Sequence, residues 1–258
     1  MTDPVELEPL HAPPAAVRWH TAARTAAPPV LAASMVAAVA YGTAPQLPRT
    51  GTVGACVVIG LWGFAIACLA RRLGSFVLLG PLVASAAGIG VLAAGVGASA
   101  AGVNGVSDVL KALGALGAGL GLAQTLQRPW WTMPTVLCVT VADVWSVFAQ
   151  SGVTRTVVEE APSLLPLATL QLPLPGASYG QGLALGVVDV LFIGLFMGVA
   201  WGWGFARWRA ELGIGAGLAL VTAASIWHDG RPVPALPGIG VAWLLACAPE
   251  LIRDARRR

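Results

Sequence analysis

Long apolar runs separated by short polar breaks occupy almost the whole chain. Charge-poor stretches cover residues 26–44, 51–70, 75–100, 108–126, 130–150, 182–204, 211–228 and 233–251. Each is long enough, or nearly so, to carry a helix across about 30 Å of hydrocarbon. The pattern predicts an all-α polytopic membrane protein of one domain with about eight transmembrane helices. The fourth run carries Asp108 and Lys111 near its start. Their i, i+3 spacing predicts an ion pair at the membrane interface.

Residues 1–25 are polar, Pro/Ala-rich and mixed in charge, with Asp3, Glu6, Glu8, Arg18 and Arg24. They read as a disordered tail. The run 26–44 has two readings. Gly42-Thr43-Ala44 offers a small-residue cleavage site for a signal peptide. The long, partly acidic segment before it favours an uncleaved first span instead.

Composition agrees with a membrane protein. Hydrophobic residues make up 57% of the 258 residues and charged residues 10%, where a soluble domain carries about 25% charged residues. The 32 glycines suit close helix contact in lipid. Gly117–Gly121, Gly198–Gly202 and Gly213–Gly217 are expected to be helix contacts. Trp130, Trp131, Trp201, Trp203, Trp208 and Trp243 are expected in interfacial belts. The net charge of +3 gathers at Arg253, Arg256, Arg257 and Arg258. This basic tail, residues 252–258, reads as an anchor beside anionic lipid and not as a nucleic-acid site. Glu250 is expected to pair with Arg253. Cys56, Cys68, Cys138 and Cys247 show neither metal spacing nor a disulfide framework, and read as small core residues. No metal or cofactor is expected.

Lysine and arginine counts predict the threading. With the N-terminus inside, the inner segments hold Arg18, Arg24, Arg71, Arg72, Arg128, Arg207, Arg209 and the four C-terminal arginines. The outer segments hold Arg49, Lys111, Arg155 and Arg231. The bias places both termini in the cytoplasm of a multi-pass plasma-membrane protein. The longest connection, 151–181, then lies outside. Its stretch Ala161–Pro175 is apolar and dense in proline, which forbids a continuous helix. The simpler reading is a loop resting on the membrane surface. The sharper one is an extended segment near a site, able to pair with a substrate strand.

Candidate chemistry lies in two acids, Asp143 and Asp189, near the middle of neighbouring apolar runs. A charged side chain at bilayer depth costs roughly 2.5–3.5 kcal/mol on insertion scales, and such residues mark proton pathways, ion sites or catalysis. Helices joined by one loop are expected to be adjacent and antiparallel. Gly182, Gly186 and Asp189 would share one face of the second helix, bringing its neighbour close. Two carboxylates that meet in a low-dielectric site cannot both ionise, so one keeps its proton while the other serves as base. Such a pair can activate water and protonate a leaving amine. His11 and His20 lie in the tail and His228 at a run's end, which argues against a histidine site. After the polar turn His228–Arg231, three prolines within Pro232–Gly238 predict an irregular start to the last span.

These residues resemble a known family. Ala142-Asp143-Val144-Trp145-Ser146-Val147-Phe148 is similar to the Tyr-Asp span of presenilin and signal peptide peptidase. Leu185-Gly186-Val187-Val188-Asp189 through Phe196 is similar to their Gly-x-Gly-Asp span, and Pro234-Ala235-Leu236 matches the Pro-Ala-Leu motif, one span later. Ala142, Val188 and Ile193 depart from the family's Tyr, Gly and Pro. The chain thus resembles a divergent, prokaryotic-type member of the GxGD intramembrane aspartyl proteases, over residues 130–251. The resemblance implies a four-span N-terminal bundle (26–129) and a four-span catalytic half (130–251). It makes Asp143 and Asp189 the catalytic pair, with Gly186, Pro234, Ala235 and Leu236 shaping the substrate site. Transmembrane segments would be the substrates, the lipid bilayer the setting, and nucleic acid no partner. Two other functions stay open. A proton-coupled transporter would use both aspartates as a relay, although no internal repeat is visible. A non-catalytic substrate-binding scaffold would tolerate loss of both.

Overall fold

The computed structural model describes residues 35, 36, 39, 40, 42–74, 80–177, 183–228 and 232–256. The N-terminal tail, most of the run 26–44, Gly182, the turn residues Asp229–Arg231 and the last two arginines lie outside the described residues. The chain is helical and built to pass a membrane repeatedly. Among the described residues, six helical segments are long and apolar enough to cross a bilayer, and a seventh, shorter apolar helix joins them.

Helix α1 (Thr52–Arg72) ends on Arg71 and Arg72, whose charges suit the negative end of a helix. Helix α2 (Pro81–Ala100) starts with proline in its first turn, where no NH donor is lost. Gly80 before it turns the chain at φ 82, a left-handed conformation that glycine adopts without strain. Helix α3 is Asn104–Ala123, and a 3-10 turn at Pro129–Trp131 leads into α4 (Thr132–Phe148). The connection that follows contains α5 (Val153–Glu160), a turn at Pro162–Leu164, the single-turn α6 (Leu165–Ala168) and strand β1 (Thr169–Leu172). Strand β2 (Leu183–Gly186) runs straight into α7 (Val187–Gly202). Helices α8 (Arg207–Trp227) and α9 (Leu236–Arg256) complete the fold.

Two stacks share α7. On one side α2 packs on α3 and α3 on α7; on the other α1 packs on α8, α8 on α9 and α9 on α4. Small residues permit these approaches, because in lipid close packing replaces the hydrophobic drive. A Cβ at Gly194 of α7 would lie 2.6 Å from the Leu116 carbonyl oxygen of α3, and one at Gly217 of α8 would lie 2.7 Å from Ile239 Cα of α9. The expected pairs Gly117–Gly121 and Gly213–Gly217 do face neighbouring helices. Gly198 does too, but Gly202 meets nothing.

Several expectations change. Trp243 does not join an interfacial belt: it is fully buried, stacked on Phe196 with ring centroids 5.2 Å apart. Nor does Glu250 pair with Arg253; it meets Arg209 across helices at 3.4 Å. Cys138 is exposed, and of the four cysteines only Cys247 is buried. The run 182–204 is no continuous helix, since its start is strand and leaves α7 only 16 residues.

The connections sort onto two ends, as alternating threading requires. At one end Arg71 pairs with buried Glu211 at 3.0 Å, near the Arg209–Glu250 pair. At the other, Gly176 N donates to Ala44 O at 2.7 Å and the Trp62 indole to Pro173 O at 3.2 Å.

The packing yields a paired prediction. Gly194→Ala should cost about 1–3 kcal/mol by overpacking α7 against α3. Gly90→Ala, where a Cβ meets nothing within 4 Å, should be neutral or slightly stabilising. Thermal unfolding of the two variants in one detergent tests the contrast.

Candidate active site

Asp143 lies on α4, which reaches the bundle through α9: a Cβ on Gly240 would lie 2.7 Å from Val136. The carboxylate is half-buried, and its Oδ2 accepts a hydrogen bond from Leu236 N at 2.9 Å. Leu236 opens α9 after the non-helical Pro232–Ala235. The irregular start expected from the prolines is present. The first NH groups of a helix have no partner within it, and here a carboxylate from another helix supplies one. Pro234, Ala235 and Leu236 are all buried, so the structure joins Asp143 to the Pro-Ala-Leu stretch.

Asp189 is not at mid-helix, as expected, but in the first turn of α7. Its Oδ2 accepts a hydrogen bond from Gly186 N at 3.0 Å, and Gly186 is the N-cap. This is half of a capping box, and the helix dipole favours a negative group there. Gly186 therefore lies in strand and cap, and does not share a helix face with Asp189 for a neighbouring helix to approach. Its missing side chain matters differently: a Cβ would lie 2.8 Å from Asp189 Oδ2. Gly182 lies outside the described residues.

The two acids come close enough for the Asp143 carboxylate to act electrostatically on Asp189. They do so without packing of their helices. The expected antiparallel contact of α4 and α7 is not formed to any extent, because α4 leans on α9 and α7 on α3. Val188 and Ala142 beside them are exposed, whereas Ile193 is fully buried.

The proline-rich connection pairs with the strand that leads to Asp189. It is not a loop merely resting on the surface. Its end is β1, antiparallel to β2 in the register Thr169↔Gly186, Leu170↔Leu185, Gln171↔Ala184 and Leu172↔Leu183. In such a ladder alternate residues exchange their hydrogen bonds with the partner strand, and the residues between point theirs the other way. Gly186 N points to Asp189, so the outward edge of β2, formed by Ala184 and Gly186, is turned toward that acid.

Asp108 and Lys111 do form the expected pair, 2.8 Å apart, and protein covers it: their side chains are 3% and 1% exposed. Lys111 Nζ donates to the carbonyls of Pro166 and Thr169, and Asp108 Oδ2 accepts from Gln171 N. The sequence signal was present as two opposite charges in an apolar run; what covers them was not. Among the described residues, no three of His, Cys, Asp and Glu gather as a metal-binding group. His228 is exposed at the end of α8.

The chain matches no protein-family model, no curated protein sequence and no solved structure.

Acids held this way should cost stability. Asp143→Asn and Asp189→Asn keep an oxygen for the Leu236 and Gly186 NH groups and remove the charge. Each should stabilise the fold by about 0.5–2 kcal/mol, because an ionised carboxylate is costlier to hold in an apolar setting than an amide of the same shape. Thermal unfolding at pH 7 reads this as raised midpoints; lowered midpoints would mean that the charges hold the fold together.

Proposed function

We propose that the protein is an intramembrane aspartyl endopeptidase that hydrolyses peptide bonds within transmembrane segments, with Asp143 and Asp189 as its general acid–base pair. The observation that carries this reading is that two carboxylates on separate apolar helices are each fixed at an interrupted helix start, Asp143 on Leu236 N and Asp189 on Gly186 N, the latter at the outward edge of β2. Each is held by one backbone NH through Oδ2, which fixes its orientation.

In this reading the ionised acid takes a proton from water lodged between the carboxyls. The water oxygen attacks the scissile carbonyl carbon. The protonated acid gives its proton to the carbonyl oxygen. The other carboxyl then passes the proton taken from water to the amide nitrogen, the C–N bond breaks, and a hydroxyl of the intermediate returns its proton to the first acid as the new carboxyl group forms. No metal and no covalent intermediate is required. A substrate helix first has to unwind, because its own hydrogen bonds shield its backbone. The outward edge of β2 suits the unwound strand: pairing there replaces the lost hydrogen bonds and lays the backbone beside Asp189. Pro234, Ala235 and Leu236 form the opposite rim, next to Asp143. The bias of basic residues supports a plasma-membrane protein with both termini cytoplasmic, and the strand edge on the outer side.

The test requires no known substrate. A hydroxyl-containing transition-state isostere should bind the detergent-purified protein, and Asp143→Ala and Asp189→Ala should each weaken binding by about 100-fold or more. Affinity should follow a bell across pH 4–8. It falls on the alkaline side as the pair loses its shared proton, and on the acid side as both carboxyls become protonated. A folded wild-type protein that binds no isostere, or variants that bind as well as wild type, would sink the proposal.

A further inference from the structure

We propose that Asp108 and Lys111 are positioning residues that cap one edge of the β1–β2 hairpin, so that it accepts a substrate strand only on the side of Asp189. This deepens the protease reading and rests on it. The two residues make an ion pair deep between α3 and the proline-rich connection. An ordinary role in holding helices together does not account for their partners, which include two backbone groups of one strand. Lys111 Nζ donates to Thr169 O, and Asp108 Oδ2 accepts from Gln171 N.

Thr169 and Gln171 are two residues apart and so present their backbone groups to the same edge of β1. Leu170 and Leu172, between and beyond them, face Leu185 and Leu183 across the ladder. The charged pair therefore stands where a third strand would pair, a donor on the carbonyl and an acceptor on the amide. A bare strand edge in this setting would carry unsatisfied polar groups or recruit a strand of its own. Two further contacts hold the approach to β1: Lys111 Nζ and Ser99 Oγ both donate to Pro166 O, the latter at 3.1 Å. Room for the lysine stem comes from Gly95 of α2, where a Cβ would lie 2.9 Å from Lys111 Cγ. The pair thereby sets the position of β1, β1 sets β2 through the ladder, and β2 ends at Gly186, whose NH holds Asp189.

Removing one charge alone strands the other in a buried site and risks unfolding. The test therefore removes both, as Asp108→Leu with Lys111→Met, since apolar replacement of a whole buried pair is well tolerated. Wild type and this double variant are compared by thermal unfolding, by hydrogen exchange at the amides of Leu170, Leu172, Leu183 and Leu185, and by affinity for the transition-state isostere. The expected result is a protein that still unfolds cooperatively, with a lowered midpoint because the edge of β1 loses its partners, exchange at the hairpin faster by about tenfold or more, and isostere affinity lower by roughly 100-fold, the effect of a displaced catalytic group. Asp108→Glu with Lys111→Arg, which keeps the charges, should recover part of that affinity. Unchanged hairpin exchange overturns the edge cap. Faster exchange with unchanged isostere affinity overturns the positioning role and leaves a purely structural brace. Wild type that binds no isostere removes the protease reading by itself; the exchange comparison then still upholds or overturns the cap.

Discussion

Away from water, every backbone NH and carbonyl needs a partner, and a helix supplies them only along its own length. This chain interrupts its helices beside the candidate site, and at each interruption an ionisable side chain serves the freed backbone. Asp143 takes the NH of Leu236 at the start of α9. Asp189 takes that of Gly186 at the start of α7. Asp108 and Lys111 take the outer edge of β1. The acids proposed for chemistry are thus also caps. Their orientation follows from backbone satisfaction, and a substitution at either touches structure and reaction together.

The packing divides this arrangement unevenly. Asp189 sits at the head of α7, the helix that touches both stacks and whose residues Ile193–Ala200 are buried throughout. Asp143 sits on α4, where only Thr132 and Val136 are buried. One acid belongs to the centre of the bundle and the other to a rim helix that leans on α9. Leu137, Val141, Trp145 and Phe148 along it are exposed large apolar side chains, as a helix at the edge of a membrane bundle requires.

Six of the eight expected spans appear among the described residues as long apolar helices, because bilayer crossing is written in composition and length, which a sequence displays directly. The acids stood out for the same reason, as charges in apolar surroundings. The strands were not legible. Leu183–Gly186 reads Leu-Ala-Leu-Gly, which by periodicity is indistinguishable from the start of a buried helix, and its partner Thr169–Leu172 is set by tertiary pairing. The spacing of Asp108 and Lys111 predicted their pairing but not their depth, because depth depends on a connection that folds back from 55 or more residues later. Adjacency of α4 and α7 failed through the intervening connection. With its own helix and strand it is long enough to let α4 find α9 instead.

The shortness of α7 has one more consequence. Its 16 residues rise about 24 Å, some 6 Å less than the hydrocarbon thickness of about 30 Å. Protein surrounds this helix, so the shortfall is not made up by lipid tails. Strand β2 fills it, and one side of that strand carries peptide groups turned toward Asp189. Polarity therefore reaches below the level at which the neighbouring helices are wholly oily. For the proposed hydrolysis, which consumes one water per turnover, this strand edge offers polar partners beside Asp189 in an otherwise apolar stretch.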